Sequence, residues 1–335
     1  MRSIHEILNN QYYKKSSWIL ILLPLSFIYF LIISFRSWAY KIGIFKSIKM
    51  DVPVVVIGNI TIGGTGKTPL VIWLLEKLIK KGMNPGLICR GYKSNAKSPQ
   101  EVLIDSKVSN VGDEALMIKL CFQRLHTTNI PIFVGKKKAQ VGKALLNSYP
   151  NIDILISDDG LQHFELIRDF EIVVIDELRK FGNNFLIPTG PLREPKTRLN
   201  KVDAVIVNSP TLKVSEYGYG MTYFSGALVN FFQSNHISDL DVPTKKIVAV
   251  TGIGNPERFF EQLTTSGLKF KKVIFNDHHF FTEFDFKDYD DMDIIMTEKD
   301  AVKCKAFAKE NFWYLPIYAD VEERLFEKLI KKLRI

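Results

Sequence analysis

From residue 50 onward the chain alternates short apolar runs with amphipathic stretches. The runs at 52–60, 86–89, 130–134, 152–157, 171–175 and 204–208 are nearly continuous in Val, Ile and Leu, the pattern of strands buried on both faces. Between them, 69–81, 113–124 and 138–148 carry apolar residues at helical spacing. That alternation predicts an α/β domain around a mainly parallel sheet. Residues 211–233 are richer in Gly, Tyr and Phe and predict turns and antiparallel strand. A second series follows: strand 246–251, helix 256–266, and strands 272–275 and 293–297. Strand 312–318 and helix 322–333 close the chain. The pattern divides the chain into four stretches in turn: a membrane-associated segment at 1–50, a core at 51–215, a smaller α/β domain at 216–312, and a terminal strand and helix at 313–335 that can return to the core. The boundary between the two domains is expected within 213–228.

One apolar run does not fit this scheme. Residues 18–35 read WILILLPLSFIYFLIISF, without charge, between Lys14 and Lys15 on one side and Arg36 and Lys41 on the other. As a helix this run is about 27 Å long against a bilayer core of about 30 Å, and Pro24 would kink it. A signal peptide cut near Ser37-Trp38-Ala39, a spanning helix and a helix lying in the interface are the three readings. The nucleotide motif described next needs cytosolic ATP, which favours an anchor that is retained.

The composition, 46% apolar and 24% charged over 335 residues, is that of a globular chain and excludes disordered, collagenous and coiled-coil classes. The net charge of +9 is unevenly placed. Residues 1–50 hold seven basic residues and one acid, so +6 lies there and only +3 in the rest. The remainder is too slight for a nucleic-acid surface, and the excess suits anionic headgroups beside the apolar run. Cys89, Cys121 and Cys304 are odd in number and widely spaced, with no CxxC, which argues against a disulfide framework or a zinc site.

The sharpest chemical signal is VVVIGNITIGGTGKTP at 54–69. A β-branched strand feeds the turn Gly63-Gly64-Thr65-Gly66-Lys67-Thr68, and Pro69 suits the first turn of a helix. Glycines let backbone N–H groups approach phosphate oxygens, and the helix N-terminus favours the anion. In a phosphate loop Lys67 reaches the β- and γ-phosphates and the Thr68 hydroxyl binds Mg²⁺. The strict GxxxxGK[ST] pattern wants Gly at 61, where Thr61 stands. The loop backbone over Thr61, Ile62, Gly63, Gly64, Thr65 and Gly66 is the expected nucleotide cradle.

Carboxylates follow at strand ends. Asp158-Asp159 closes the run 152–157, where open α/β sheets bind ligands and where two like charges call for a cation. Asp113, in VGDEA, opens a helix and reads equally as a cap or as a functional acid. Asn276-Asp277-His278-His279 follows a strand and reads as a metal pair, a base with its orienting acid, or a surface loop. Gly252-Ile253-Gly254 starts like a dinucleotide fingerprint, but Glu257 stands where it needs Gly or Ala. Asn200-Lys201-Val202-Asp203 spells a guanine-reading motif but precedes a strand instead of ending one. Lys136-Lys137-Lys138 reads as a solvated helix start, or as a contact for an anionic headgroup.

Taken in order, GNITIGGTGKTP (58–69), RGY (90–92), VGDEA (111–115), SDDGLQH (157–163), PTGPLREP (188–195), TGIGNPERFF (251–260), NDHHFF (276–281) and TEKDAVK (297–303) resemble the tetraacyldisaccharide 4'-kinase family, the lipid A 4'-kinases of Gram-negative bacteria. The resemblance runs over almost the whole chain. It implies a P-loop NTPase-type, mainly parallel α/β core with a second, smaller α/β domain and an N-terminal membrane-associated helix. It also implies ATP-dependent phosphorylation of the 4'-hydroxyl of a tetraacylated glucosamine disaccharide 1-phosphate, giving lipid IVA on the cytosolic face of the inner membrane. By the resemblance, Lys67 and Thr68 are the phosphate and Mg²⁺ groups, and Asp158, Asp159 and Glu194 complete the metal set. Asp113 and His278 match a catalytic dyad with Asp113 as base, and Arg90, Tyr92, Gln162 and Arg193 match positions toward the substrates. Two positions depart from the family: Ala115 and Phe280 stand where Pro is usual.

Because His278 lies far along the chain from Asp113, their pairing would require the two expected domains to close on each other. The rival from another class is a membrane-tethered P-loop ATPase or GTPase that hydrolyses nucleotide without a lipid acceptor. A non-catalytic anchor module is disfavoured by the intact Gly-Lys-Thr, and a kinase for a small soluble acceptor by the apolar N-terminus.

Overall fold

The structure, a computed structural model, describes residues 12–13, 18–91, 98–125, 129–210, 218–232 and 246–335. Lys14, Lys15 and Tyr92 fall outside the described residues. In chain order the elements begin with α1 (Leu23–Lys41, after a 3-10 turn at Trp18–Leu22), β1 (Val54–Gly58), α2 (Lys67–Lys80) and β2 (Pro85–Cys89). Then come β3 (Gln100–Glu101), α3 (Val108–Val111), α4 (Asp113–Leu125), β4 (Ile132–Val134), α5 (Lys138–Ser148) and β5 (Ile154–Asp158). They continue with β6 (Phe170–Asp176), β7 (Ala204–Asn208), β8 (Tyr219–Ser225), β9 (Val229–Asn230), β10 (Ile247–Thr251) and α6 (Pro256–Thr265). The last are β11 (Phe270–Ile274), β12 (Asp293–Thr297), α7 (Glu298–Cys304), β13 (Phe312–Leu315), β14 (Ile317–Val321) and α8 (Arg324–Leu333).

The chain separates into two compact units. The first gathers the residues up to Ile88, Lys137–Thr222 and Asp320–Ile335; the second gathers Cys89–Lys136 and Tyr223–Ala319. This differs from the division at 215 expected from the sequence. Residues 89–136, including all of α4, group with the later half of the chain and not with the phosphate-loop core. Of the terminal stretch, Asp320–Ile335 groups with the first unit and 313–319 with the second.

In the first unit the strands run in the order β8-β7-β6-β1-β5-β2, with β14 beyond β8. The pairings of β1 with β5 and β6, of β2 with β5, of β6 with β7 and of β7 with β8 are all parallel. β1, β2, β5 and β6 are buried at every position, as continuous apolar runs require when both faces are covered. β8 meets the expectation of antiparallel strand in 211–233 on one edge only. It joins β7 in parallel, while the Gly226 N–H donates to the Pro316 carbonyl and the Glu322 N–H to the Gly220 carbonyl, which runs it antiparallel to β14. The two-residue β9 is antiparallel to β13. The register sets the chemistry. Ile57 lies opposite Asp158, so the loop leaving β1 and the acid pair ending β5 emerge side by side at the carboxyl edge of the sheet. Gly58 makes that approach possible, since a Cβ there would stand 2.7 Å from Leu161 Cβ.

In the second unit a five-stranded sheet has the order β11-β10-β12-β13-β9. Its two faces follow the strand period of two. Val248, Val250, Ile294 and Met296 face Phe281, Phe286 and Phe312, while Ile247, Ala249 and Ile295 face Phe259, Phe260 and Leu263 of α6. Three elements here lack an apolar pattern long enough to be read in advance: β3, α3 and the seven-residue α7. The expected single strand 312–318 is two strands, interrupted at Pro316, whose ring offers no N–H to a ladder.

The apolar N-terminal run is helical. Ile19–Lys41 is long and apolar enough to cross a membrane, with mean hydropathy 2.3 and 11% of its most apolar window buried. Cys89, Cys121 and Cys304 are all buried.

Candidate active site

The phosphate loop is shaped by contacts with two neighbouring segments. Thr61 bridges Leu192, and the Ile62 N–H donates to the Pro191 carbonyl at 2.8 Å. Asn59 Nδ2 donates to the Gly63 carbonyl at 3.2 Å, and Asn208 Nδ2 at the end of β7 donates to the Thr65 carbonyl at 3.1 Å. Gly63 and Gly66 adopt φ of +96° and +93°, which only glycine reaches without strain. Gly64 has open space where a side chain would be. Gly66 caps α2 with no side-chain acceptor, so the first-turn N–H groups of this 14-residue helix await an anion. The Thr65 hydroxyl is buried with no hydrogen-bond partner among the described residues. An uncapped helix start, an orphaned hydroxyl and Lys67 form a donor set that fits nucleotide phosphates.

Beside this loop, Asp159 is the electrostatic centre. Lys67 Nζ lies 3.4 Å and Arg193 Nη1 3.2 Å from its Oδ1. Burial alone would raise the Asp159 proton affinity. The charges of Lys67, Arg193 and Lys138 outweigh it and hold the carboxyl well below the usual range. Its φ of +47° is a left-handed conformation that Asp tolerates better than most residues. Asp158 is buried, and its carbonyl accepts from Lys138 Nζ at 2.6 Å. Lys138 also donates to the Ile88 carbonyl at 2.9 Å and is fully buried. The solvated helix start expected there holds for Lys136 and Lys137, which are exposed. It fails for Lys138, which stitches the ends of β2 and β5. Only the length of the side chain, able to reach two carbonyls from the helix start, hinted at this.

Glu194 is buried, and both of its oxygens are engaged: Gln162 Nε2 donates at 2.7 Å and Arg198 Nε stands 3.2 Å away. Burial pushes its pKa up, against that hydrogen bond and the Arg198 charge. Gln162 Nε2 is also 3.2 Å from the Asn59 carbonyl. Among the described residues no three His, Cys, Asp or Glu side chains converge as metal ligands. Magnesium does not demand that, because it keeps waters and takes one or two carboxylates beside substrate phosphates. Asp158 and Asp159, adjacent at the end of β5, supply that many carboxylates. Arg90 is exposed at the end of β2 and makes no described contact with these groups.

The second constellation lies wholly within the second unit. His278 Nδ1 is 2.8 Å from Asp113 Oδ2. An ionised carboxylate only accepts, so Nδ1 donates. The pairing needs no closure of domains: α4 and the loop after β11 belong to the same unit. His278 has φ of +59°, and its N–H donates to the Gly252 carbonyl at 3.0 Å. The adjacent His279 is placed differently. It stacks on Phe275 with ring centroids 4.4 Å apart, and its Nε2 lies 3.3 Å from Asp285. Asp113 is not simply a helix cap. Among the described residues its Oδ1 accepts the N–H of the next residue, Glu114, at 2.9 Å.

Two lysines that sequence reasoning left without a role support this pair. Lys303 Nζ is 3.8 Å from Asp113 and 2.8 Å from Asp300, and Lys299 Nζ is 2.8 Å from Glu114. Asp300 is fully buried and accepts from the hydroxyls of Thr251 and Thr297 and from the Gly252 N–H. It thereby ties α7 to the segment that holds His278. The guanine-like and dinucleotide-like motifs are both structural. Asp203 accepts the Glu171 N–H at 2.8 Å, and Gly252 serves the Asp300 network.

A family model described as Tetraacyldisaccharide-1-P 4'-kinase matches residues 18–334. The tetraacyldisaccharide 4'-kinase of Methylobacillus flagellatus is 43% identical over 333 residues, covering 99% of this chain and 97% of that one. That of Shewanella sediminis is 42% identical over 317 residues, covering 94% and 91%. Among solved structures, LpxK from Aquifex aeolicus, crystallised in complex with ATP, superposes with a TM-score of 0.76 at 26% identity, covering 94% of this chain and 99% of that one. With its phosphate loop, strand-end acids and Asp–His pair in place, and with likeness to these proteins along nearly its full length, the chain belongs to the tetraacyldisaccharide-1-P 4'-kinase family.

Proposed function

We propose that this protein transfers the γ-phosphoryl group of ATP to the 4'-hydroxyl of a tetraacylated glucosamine disaccharide 1-phosphate, giving lipid IVA at the cytosolic face of the inner membrane. The observation that carries the reading is the Lys67–Asp159–Arg193 cluster at the mouth of the glycine loop. A phosphoryl group in flight spreads negative charge over its oxygens, so catalysis is mostly positioning and charge neutralisation. Lys67, ion-paired with Asp159, turns to the phosphates when nucleotide enters. Arg193 supplies a second fixed cation, and the N–H groups of 61–68 cradle the phosphate oxygens. Thr68, Asp158, Asp159 and Glu194 are the groups proposed to hold Mg²⁺, which would supply further neutralisation of the phosphate charge.

The Asp113–His278 pair handles the proton of the acceptor hydroxyl. That hydroxyl has a high pKa, so the proton moves only as the new O–P bond forms. Asp113 fixes the imidazole and the pair takes the proton as a unit. Gln162, Arg193, Arg90 and Tyr92 are proposed to lie toward the substrates. The apolar α1, with basic residues on both flanks, keeps the enzyme at the anionic surface where its acceptor resides. Nucleic acid has no part in this reading.

The test is transfer of labelled phosphate from ATP to lipid A disaccharide 1-phosphate in detergent micelles, beside a Lys67→Ala control. Labelled lipid is expected with the intact chain, and a loss of at least about 100-fold with the variant. ATP hydrolysis without labelled lipid would transfer the case to the tethered ATPase reading.

A further inference from the structure

Helix α1 presents apolar side chains to solvent around most of its circumference, but one stripe is turned to the protein. Leu22, Ser26, Tyr29, Ile33 and Tyr40 are withdrawn from solvent, three or four residues apart up to Ile33 and seven more to Tyr40; the exposed Arg36 falls midway on the same line. Ser26, Tyr29 and Arg36 on that line bond to chain segments that carry the candidate phosphate site. Ser26 Oγ lies 2.9 Å from the Leu186 carbonyl and 2.7 Å from Thr189 Oγ1, and accepts the Thr189 N–H at 3.1 Å. Tyr29 Oη donates to the Arg193 carbonyl at 2.9 Å. Arg36 Nη2 donates to the Gln162 carbonyl at 3.0 Å.

Two of the receiving residues, Arg193 and Gln162, are bonded on their other side to the chain entering the phosphate loop. The Arg193 N–H donates to the Ile60 carbonyl at 2.7 Å, and its guanidinium holds Asp159. The Pro191 carbonyl accepts the Ile62 N–H at 2.8 Å. Gln162 reaches the Asn59 carbonyl through Nε2. Segment 186–193 is therefore a strap with α1 bonded to one side and the phosphate loop to the other. A helix that served only as an anchor would need apolar area and basic flanks. It would have no use for hydroxyls, which are costly in apolar surroundings unless partnered. Here they are partnered, and the partners belong to the site.

We propose that α1 is a positioning element of the phosphoryl-transfer site, with Tyr29 as its principal residue. The Tyr29 hydroxyl holds the Arg193 main chain from behind while Arg193 and Ile62 hold the phosphate loop in front. Seating of α1 in a lipid surface is then felt at Arg193 through one hydrogen bond, and the enzyme is most active when the helix that brings it to its acceptor is in place. The catalytic part of this inference rests on the kinase reading above; the structural part does not.

Tyr29→Phe removes only the hydroxyl and keeps the ring, and Ser26→Ala is the second variant should the first not fold. The full-length protein in detergent is followed by hydrogen exchange at the Ile62 and Arg193 amides, without acceptor. Exchange is expected to be about tenfold faster at both amides in Tyr29→Phe and unchanged in strands β10 and β12 of the second unit. With ATP and lipid acceptor, kcat is expected to fall about five- to tenfold, the magnitude of one lost hydrogen bond. The KM for the lipid and sedimentation with vesicles of anionic phospholipid are expected to stay within about twofold of the parent protein. Unchanged exchange at both amides overturns the proposal. So does faster exchange throughout the first unit, which marks general destabilisation, or weakened vesicle binding with the parent kcat, which marks an anchor alone. A parent protein that phosphorylates no lipid defeats the kinase reading while the exchange result still decides the role of Tyr29.

Discussion

Asp113 shows how a single carboxylate is tuned. Burial pushes its pKa up; the hydrogen bond from His278 and the charges of Lys299 and Lys303 outweigh that and lower it to about 2. The folded value lies below the ordinary one near 4, so the pair's contribution to stability is complete above about pH 4 and is lost as the pH falls toward 2. Urea midpoints measured between pH 5 and 2 are expected to fall across that window, and the fall is expected to be shallower in Asp113→Asn. The same variant leaves His278 without its charged partner, and kcat is expected to drop by about 100-fold or more with little change in the KM for ATP. Lys138 offers a second residue-scale test. Lys138→Met removes the donor to two buried carbonyls, and thermal unfolding is expected to report a loss of about 2–3 kcal/mol. Lys67, Thr68 and Asp159 were legible because their residue types recur at fixed spacing beside a strand. Lys138 was not, because nothing in its neighbours along the chain says that a lysine there points inward.

At the scale of elements, α4 and α7 are fastened by ion pairs. Arg124 Nη2 lies 2.8 Å from Glu298 Oε1 with both side chains largely buried, and Lys299 joins Glu114. α4 carries Asp113, and α7 carries the lysines beside it, so the fastening sets the geometry of the Asp–His pair. Glu298→Ala leaves a buried guanidinium unpaired, and unfolding by denaturant is expected to show a loss of about 3–5 kcal/mol. Replacing both partners, Arg124→Met with Glu298→Leu, is expected to cost far less, because no charge is then stranded. The strands β1, β5, β6, β7 and β12 were legible as unbroken apolar runs. α7 was not: its seven residues, EKDAVKC, are too few for a helical period to declare itself, and its start is fixed by the Thr297 cap on Asp300.

At the scale of the molecule, the chain builds two units from interleaved stretches. One unit carries the glycine loop, Asp159, Arg193 and α1; the other carries Asp113 and His278. The excess of basic residues in the first 50 positions and the exposed apolar faces of α1 predict how the whole protein behaves toward lipid. It is expected to sediment with vesicles containing anionic phospholipid and to be released by detergent, while 1 M salt, which shortens the screening length to about 3 Å, frees less than about half. Release by salt alone would mean that the basic flanks, and not the apolar helix, hold it.

Local order was thus written into the sequence: strand runs, the glycine turn before a helix, acids at strand ends and the apolar N-terminal stretch all depend on residues near one another along the chain. What tertiary structure alone decided is which distant stretches meet. Residues 89–136 join the later half of the chain because α4 finds its packing partner in α7, and so Asp113 meets His278 inside one unit. Ser26 and Tyr29 meet segment 186–193, whose carbonyls and Thr189 hydroxyl partner their hydroxyls. Those choices depend on packing and on satisfying buried polar groups between residues far apart in the sequence, and no periodicity in the chain encodes them.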